Sequence, residues 1–126
     1  MKTALITEQH LEHREWLNRI AFYRDEVKIM QKRIEEIASK NTGQEVLAQV
    51  EHFQNQLIIQ TSELDQLSHD INKHESEIAA EVAKNPVASD HRRTEVHPEH
   101  KEGIETFEKL FNALRQEMIL WLAKVM

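Results

Sequence analysis

The chain has 126 residues, of which 40% are hydrophobic and 30% are charged, and its formal net charge is −6. It is too short for two cores and too apolar to stay disordered, so we expect one globular domain over residues 1–126. The negative charge argues against a nucleic-acid partner, because such proteins gain affinity from Lys and Arg that neutralise phosphates. Cysteine is absent, which excludes disulfides, thiolate metal sites and cysteine nucleophiles.

Turn-forming residues are scarce, with Gly 2 and Pro 2 in the whole chain. A sheet of several strands would need more of them, so an all-α fold is expected. The longest apolar run, from Met118 to Ala123, is far shorter than the roughly 20 residues that cross a bilayer. The N-terminal residues also lack the apolar region and cleavage site of a signal peptide. We therefore expect a cytoplasmic protein with no membrane partner.

The first helix is predicted over about residues 7–40. Thr7 is a suitable N-cap, because its hydroxyl oxygen can accept a hydrogen bond from a free backbone N–H of the first turn. Glu8 suits the first turn, where a negative charge is favourable. Mostly apolar residues then recur at alternating steps of three and four, the spacing of a helix that packs lengthwise on other helices. These seam residues are His13, Trp16, Ile20, Tyr23, Val27, Met30, Ile34 and Ile37.

The second helix, over about residues 43–84, is the longest element and is expected to be the centre of the fold. Thr42 and Glu45 are spaced as a capping box that would start it, and Asn85-Pro86 would end it. Only a few residues separate the first two predicted helices, and so short a connection forces them into an antiparallel hairpin. The seam of this helix consists of Val46, Val50, Phe53, Leu57, Gln60, Leu64, Leu67, Ile71, His74 and Ile78.

The hairpin predicts which residues of the two helices face each other. In the expected register Met30 lies level with Phe53, and Tyr23 lies level with Gln60. A buried amide without a partner costs about 1–3 kcal/mol. We therefore expect a hydrogen bond between Tyr23 and Gln60 that fixes the register.

Residues 85–97 form a predicted polar linker without periodicity, and a third helix is predicted over about residues 98–125. Pro98 suits the first turn of that helix. Its seam consists of Ile104, Phe107, Phe111, Leu114, Met118, Trp121 and Val125. We expect an elongated antiparallel three-helix bundle with coiled-coil-like heptad packing, in which Phe53 lies level with Trp121.

The third helix is apolar on more than its seam near the C-terminus. The additional apolar residues are Leu110, Ile119, Leu120, Leu122 and Met126. This end either lies deep in the core or contacts a second subunit, and a homodimer through the apolar C-terminal helix would cover it.

The histidines supply the one group of residues in the sequence that could carry chemistry. In the expected registers all three helices present a histidine at the same end of the bundle, although the linker also permits the third helix to slip by seven residues. The candidate metal ligands are His13, His74 and His100, with His10, His97 or Asp70 completing the site. Imidazoles on facing helices with nearby carboxylates suit Zn²⁺, Fe²⁺ or Mn²⁺.

Three interpretations of this end of the bundle remain open. The histidines can form a polar, hydrogen-bonded end layer, they can bind a divalent transition metal, or they can sense protons, because histidine titrates near neutrality. No HExxH motif and no pair of Glu-x-x-His motifs accompanies them.

The sequence favours a non-enzymatic function. It contains no nucleophile with an adjacent base, no glycine-rich phosphate loop and no motif of a characterised family. We therefore expect a structural or protein-interaction module with an unidentified protein partner. The alternative is a metal-binding helical bundle, in which any chemistry would belong to the ion.

Overall fold

The computed structural model describes residues 3–84, 93–96 and 98–125. In chain order the elements are β1 (Thr3–Leu5), α1 (Ile6–Lys40), α2 (Gln44–Lys84), β2 (Arg93–Glu95) and α3 (Pro98–Val125). The predicted all-α three-helix bundle is confirmed, and one pair of very short strands accompanies it. No described helix has an apolar stretch long enough to cross a bilayer.

The heptad spacing correctly predicted the buried face of each helix. Of the predicted seam residues, Val46, Leu67, Trp121 and Val125 are partly buried and the rest are buried. The largest fully buried side chains are Phe53, Phe111, Ile34, Leu57, Leu64, Ile71 and Met118. Trp16 and Trp121 both belong to this core.

Contacts between side chains give the directions of the helices. An ion pair between Arg24 and Asp65, 2.7 Å apart, joins α1 to α2. The rings of Phe53 and Trp121 lie 5.0 Å apart, the contact that the predicted register of α2 and α3 requires. A second contact at the other level of each pair fixes the direction, His13 with His74 for α1 and α2 and His74 with His100 for α2 and α3. Both pairs of helices are antiparallel, so α1 and α3 run parallel. At about 1.5 Å per residue, the 41 residues of α2 give the bundle a length of about 60 Å.

The first helix starts differently from the prediction. It begins at Ile6, and Leu5 takes the N-cap position in an extended conformation with no side-chain capping bond. The predicted N-cap, Thr7, lies inside the first turn, so that prediction was wrong. The reason is that Thr3–Leu5 is paired as a strand, and the chain passes from strand to helix without a capped turn.

The turn between α1 and α2 consists of residues 41–43. Asn41 Nδ2 donates to the carbonyl of Ile37, 2.9 Å away, at the end of α1. The backbone N–H of Leu47 donates to the carbonyl of Gly43 at 3.0 Å. Gly43 therefore takes the N-cap position of α2, and the predicted capping box that starts at Thr42 was one residue out of place.

The two strands pair antiparallel, with Thr3 opposite Glu95 and Leu5 opposite Arg93. β2 lies in the segment that the sequence predicted as a linker without structure; of that segment, residues 85–92 and 97 lie outside the described residues. Strands of three residues are too short to show a period-two pattern, so sequence analysis could not predict them. The pairing ties the start of α1 to the segment that precedes α3.

The predicted hydrogen bond between Tyr23 and Gln60 was wrong. Tyr23 Oη instead donates to Glu108 Oε2 on α3, 2.6 Å away, and Arg19 Nη1 donates to the other carboxylate oxygen at 3.1 Å. Burial and the hydrogen bond to Glu108 raise the pKa of Tyr23 to about 12. A charged carboxylate is a stronger acceptor than an amide. Gln60 is buried, and its Oε1 has no hydrogen-bond partner in the described part of the chain.

Candidate functional site

The seam places one histidine from each helix at the end of the bundle near the strands. The ring centroids of His13 and His74 lie 4.8 Å apart, those of His74 and His100 lie 5.3 Å apart, and those of His13 and His100 lie 6.2 Å apart. His13 is only 2% exposed and His74 only 6%. The sequence predicted that these three side chains would converge, and the structure brings them together.

A chain of hydrogen bonds links α1 and α2 at this point. His13 Nδ1 bonds Glu75 Oε1, and His13 Nε2 lies 3.1 Å from His74 Nδ1. An ionised carboxylate only accepts, so the Nδ1–H of His13 donates to Glu75. The Nε2 of a neutral His13 then accepts, and His74 donates its Nδ1–H. Both ring nitrogens of His13 are thus engaged.

Glu75 is the residue that sequence analysis missed. It also accepts a hydrogen bond from His10 Nδ1 at 3.0 Å. Partial burial acts to raise the pKa of Glu75, but the hydrogen bonds and charges of His10 and His13 outweigh it and lower the pKa. Glu75 lies beside the seam, so periodicity alone did not mark it. We call His10, His13, His74, Glu75 and His100 the histidine cluster.

An open cleft of about 450 Å³ lies beside the cluster, between α2 and α3. His74 and His100 line it together with Asp70, one of the predicted ligands. Gln66 Nε2 donates to Asp70 Oδ1 at 2.9 Å. Four lining residues are acidic and one is basic, namely Glu63, Asp70, Glu77, Glu99 and Lys73. His97, the remaining predicted ligand, lies outside the described residues.

Gly103 lies at this cleft, facing α2. A Cβ atom on Gly103 would lie 2.8 Å from Cδ2 of Leu67. Glycine inside a helix costs about 1 kcal/mol relative to alanine. Because Cδ2 is the end of a flexible side chain, a small movement of Leu67 would make room for a Cβ atom here.

The contacts of the histidine cluster are those of a hydrogen-bonded end layer. In the described part of the chain, no group of three or more His, Asp or Glu side chains has its donor atoms arranged to hold a metal ion. His13 could bind an ion only if one of its two hydrogen bonds were replaced. The metal site that the sequence suggested stays a prediction.

A second candidate site is the exposed apolar surface. On α3, Leu110, Ile119 and Leu120 are all about half exposed, whereas Leu122 packs partly against the core. Met126 lies outside the described residues. The structure adds Ile58 and Ile59 of α2, which sequence analysis did not single out.

Comparison with known proteins gives no relative: no family model, no curated protein and no solved structure matches this chain.

Proposed function

We propose that this protein is a non-enzymatic helical module that binds another protein through exposed apolar side chains of α2 and α3. The observation that supports the proposal is that Ile59 is 50% exposed and Leu110 is 55% exposed on helices whose seams are buried. Apolar surface removed from water contributes about 25 cal/mol per Å². We also propose that the protein is located in the cytoplasm.

The two exposed side chains lie on one surface. His52 Nε2 lies 3.0 Å from Glu117 Oε1 across the outside of α2 and α3. Ile59 follows His52 by seven residues, and Leu110 precedes Glu117 by seven. Because the helices are antiparallel, a step of seven residues forward along α2 and a step of seven residues backward along α3 reach the same level of the bundle. Each step also keeps the residue on the same side of its helix. Ile59 and Leu110 are therefore neighbours.

The same spacing defines a longer surface, which we call the α2/α3 face. Its residues are Glu45, His52, Ile59 and Gln66 on α2 and Gly103, Leu110, Glu117 and Lys124 on α3. Glu45 and Lys124 line one groove, and Gln66 and Gly103 line the cleft beside the histidines. The partner that fits this face is an amphipathic helix or helix pair with an apolar centre and charged ends.

The proposal is tested by a photo-reactive amino acid placed at Leu110 in the full chain in cells, with the same substitution at Ile29 of α1 as control, since Ile29 is also exposed. We expect a defined cross-linked protein from position 110 and not from position 29. The cross-linked partner, once purified, should bind the wild-type chain. Its affinity for the Ile59→Glu variant should be at least tenfold lower. Equal cross-linking from both positions, or unchanged affinity, would contradict the proposal.

A second candidate function is the binding of Zn²⁺, Fe²⁺ or Mn²⁺ at the histidine cluster. The observation that favours it is the 3.1 Å separation of His13 Nε2 and His74 Nδ1. With metal–nitrogen bonds of about 2.0–2.1 Å, two nitrogens on one tetrahedral ion lie about 3.3 Å apart. Glu75 would hold the His13 ring in the orientation that binds.

Zinc titration of the purified, metal-free chain by calorimetry tests this second function. We expect one equivalent of Zn²⁺ to bind and to raise the melting temperature, because an ion that binds only the folded state stabilises it. His74→Ala should weaken binding at least tenfold. His69→Ala is the matched control, since His69 is exposed on the same helix. No uptake of zinc, or equal losses in both variants, would exclude the site.

A further inference from the structure

We infer that the partner of the α2/α3 face is a second copy of the same chain, packed antiparallel around a two-fold axis at Ile59 and Leu110. This inference rests on the interaction function proposed above and identifies its partner. The apolar pair lies at the middle of the face, with Glu45 and Lys124 toward one end and the acidic cleft toward the other. A surface with a central apolar pair can match itself across a two-fold axis.

The positions of charged residues on α2 support an antiparallel arrangement. If the two-fold axis passes at the level of Ile59, a residue that precedes Ile59 in one copy lies opposite the residue that follows Ile59 by the same number of positions in the other copy. Glu45 precedes Ile59 by two heptads, and Lys73 follows it by two heptads. Each Glu45 therefore lies level with the second copy's Lys73, and the contact occurs twice in the dimer.

The charges on α3 agree with this arrangement. Lys124 follows Leu110 by two heptads, and the position two heptads before Leu110 is Val96. Glu99 lies within one helical turn of that position, so Lys124 of one copy approaches the acidic end of the other.

A parallel arrangement would oppose like charges at the acidic cleft, although at the other end it would set Glu45 of one copy level with Lys124 of the other. It would set the cleft acids Glu63, Asp70, Glu77 and Glu99, with Lys73 as the single basic lining residue, against the same residues of the second copy. Like charges placed opposite each other at an interface weaken association. The antiparallel pair avoids this contact.

The face is large enough for a stable dimer. The face from Gly103 to Lys124 spans about 32 Å, and two adjacent helices are about 20 Å wide. This gives about 600 Å² per copy, near the lower end of the range for standard protein–protein interfaces.

Sedimentation equilibrium of the full chain over a wide concentration range tests the inference. We expect a dimer for the wild type, and at least a hundredfold weaker association for Ile59→Glu/Leu110→Glu with unchanged helical circular dichroism. Ile29→Glu, which adds the same charge on α1, should leave the dimer intact. Glu45→Lys and Lys73→Glu should each weaken association about three- to tenfold, and the double charge swap should restore it.

Each other outcome overturns the inference in a defined way. A wild-type chain that stays monomeric excludes the second copy as partner, and the interaction function then depends on the cross-link from Leu110 to a different protein. A dimer that the double swap does not restore excludes the antiparallel axis. A monomer with no cross-link specific to position 110 excludes both the self-partner and the proposed function.

Discussion

Replacing Phe111 with alanine is expected to lower the free energy of unfolding by about 3–5 kcal/mol. Phe111 is fully buried, and its ring contacts Tyr23 of α1 at 5.0 Å and Phe107 at 5.6 Å. Truncation removes apolar contact area and leaves a cavity where α1 and α3 meet, which the surrounding helices can fill only in part. Urea unfolding followed by circular dichroism measures the loss.

Ile119→Ala is the control for this substitution. Ile119 is about half exposed on the same helix, one residue from the fully buried Met118. Its replacement should change the unfolding free energy by no more than about 0.5 kcal/mol, as is usual for surface positions. Similar losses for Phe111→Ala and Ile119→Ala would show that a different face of α3 is buried.

Gln60→Leu is expected to stabilise the protein by about 1–3 kcal/mol, because it removes a buried polar group that lacks a partner. Gln60 occupies a seam position in the middle of α2 and is 6% exposed. Its Oε1 accepts no hydrogen bond within the described residues. Leucine has a similar size and is already the seam residue at Leu57 and Leu64. The gain is measured as a rise in the urea midpoint with an unchanged slope.

Gln54→Leu separates this effect from a general gain in helix propensity or hydrophobicity. Gln54 lies on the same helix and is exposed, so its replacement should leave the midpoint nearly unchanged. A loss of stability in Gln60→Leu would mean that the amide makes a hydrogen bond in solution, for example through water, that leucine cannot replace.

The two candidate sites lie on different parts of the bundle and can be tested independently. The histidine cluster depends on hydrogen bonds between side chains at one end, centred on His13 and Glu75. The α2/α3 face depends on exposed apolar residues at mid-length, centred on Ile59 and Leu110. Substitutions at these two positions touch no residue of the cluster, so zinc binding and association need not change together.

The sequence by itself determined the number of helices and the face that each one buries. Spacing of three and four residues places side chains on one side of a helix whatever the helix packs against. The turn of residues 41–43 is too short to allow anything but a hairpin. These two local rules also brought His13 and His74 to one end, because the level of a residue along a hairpin follows from its number. The level of His100 did not follow in the same way, since the linker before the third helix permits a slip of seven residues, and the packing of α3 on α2 decided it.

Only the tertiary structure decided which polar partner each buried side chain takes. Tyr23 bonds Glu108 rather than Gln60, and His13 and His10 bond Glu75 rather than any predicted ligand. Both carboxylates lie beside the seams, where periodicity carries no information. Whether such a side chain reaches a buried group depends on the rotation of each helix about its axis and on the third helix. Hydrogen bonds require positions within a few tenths of an ångström, which only the packing of all three helices fixes.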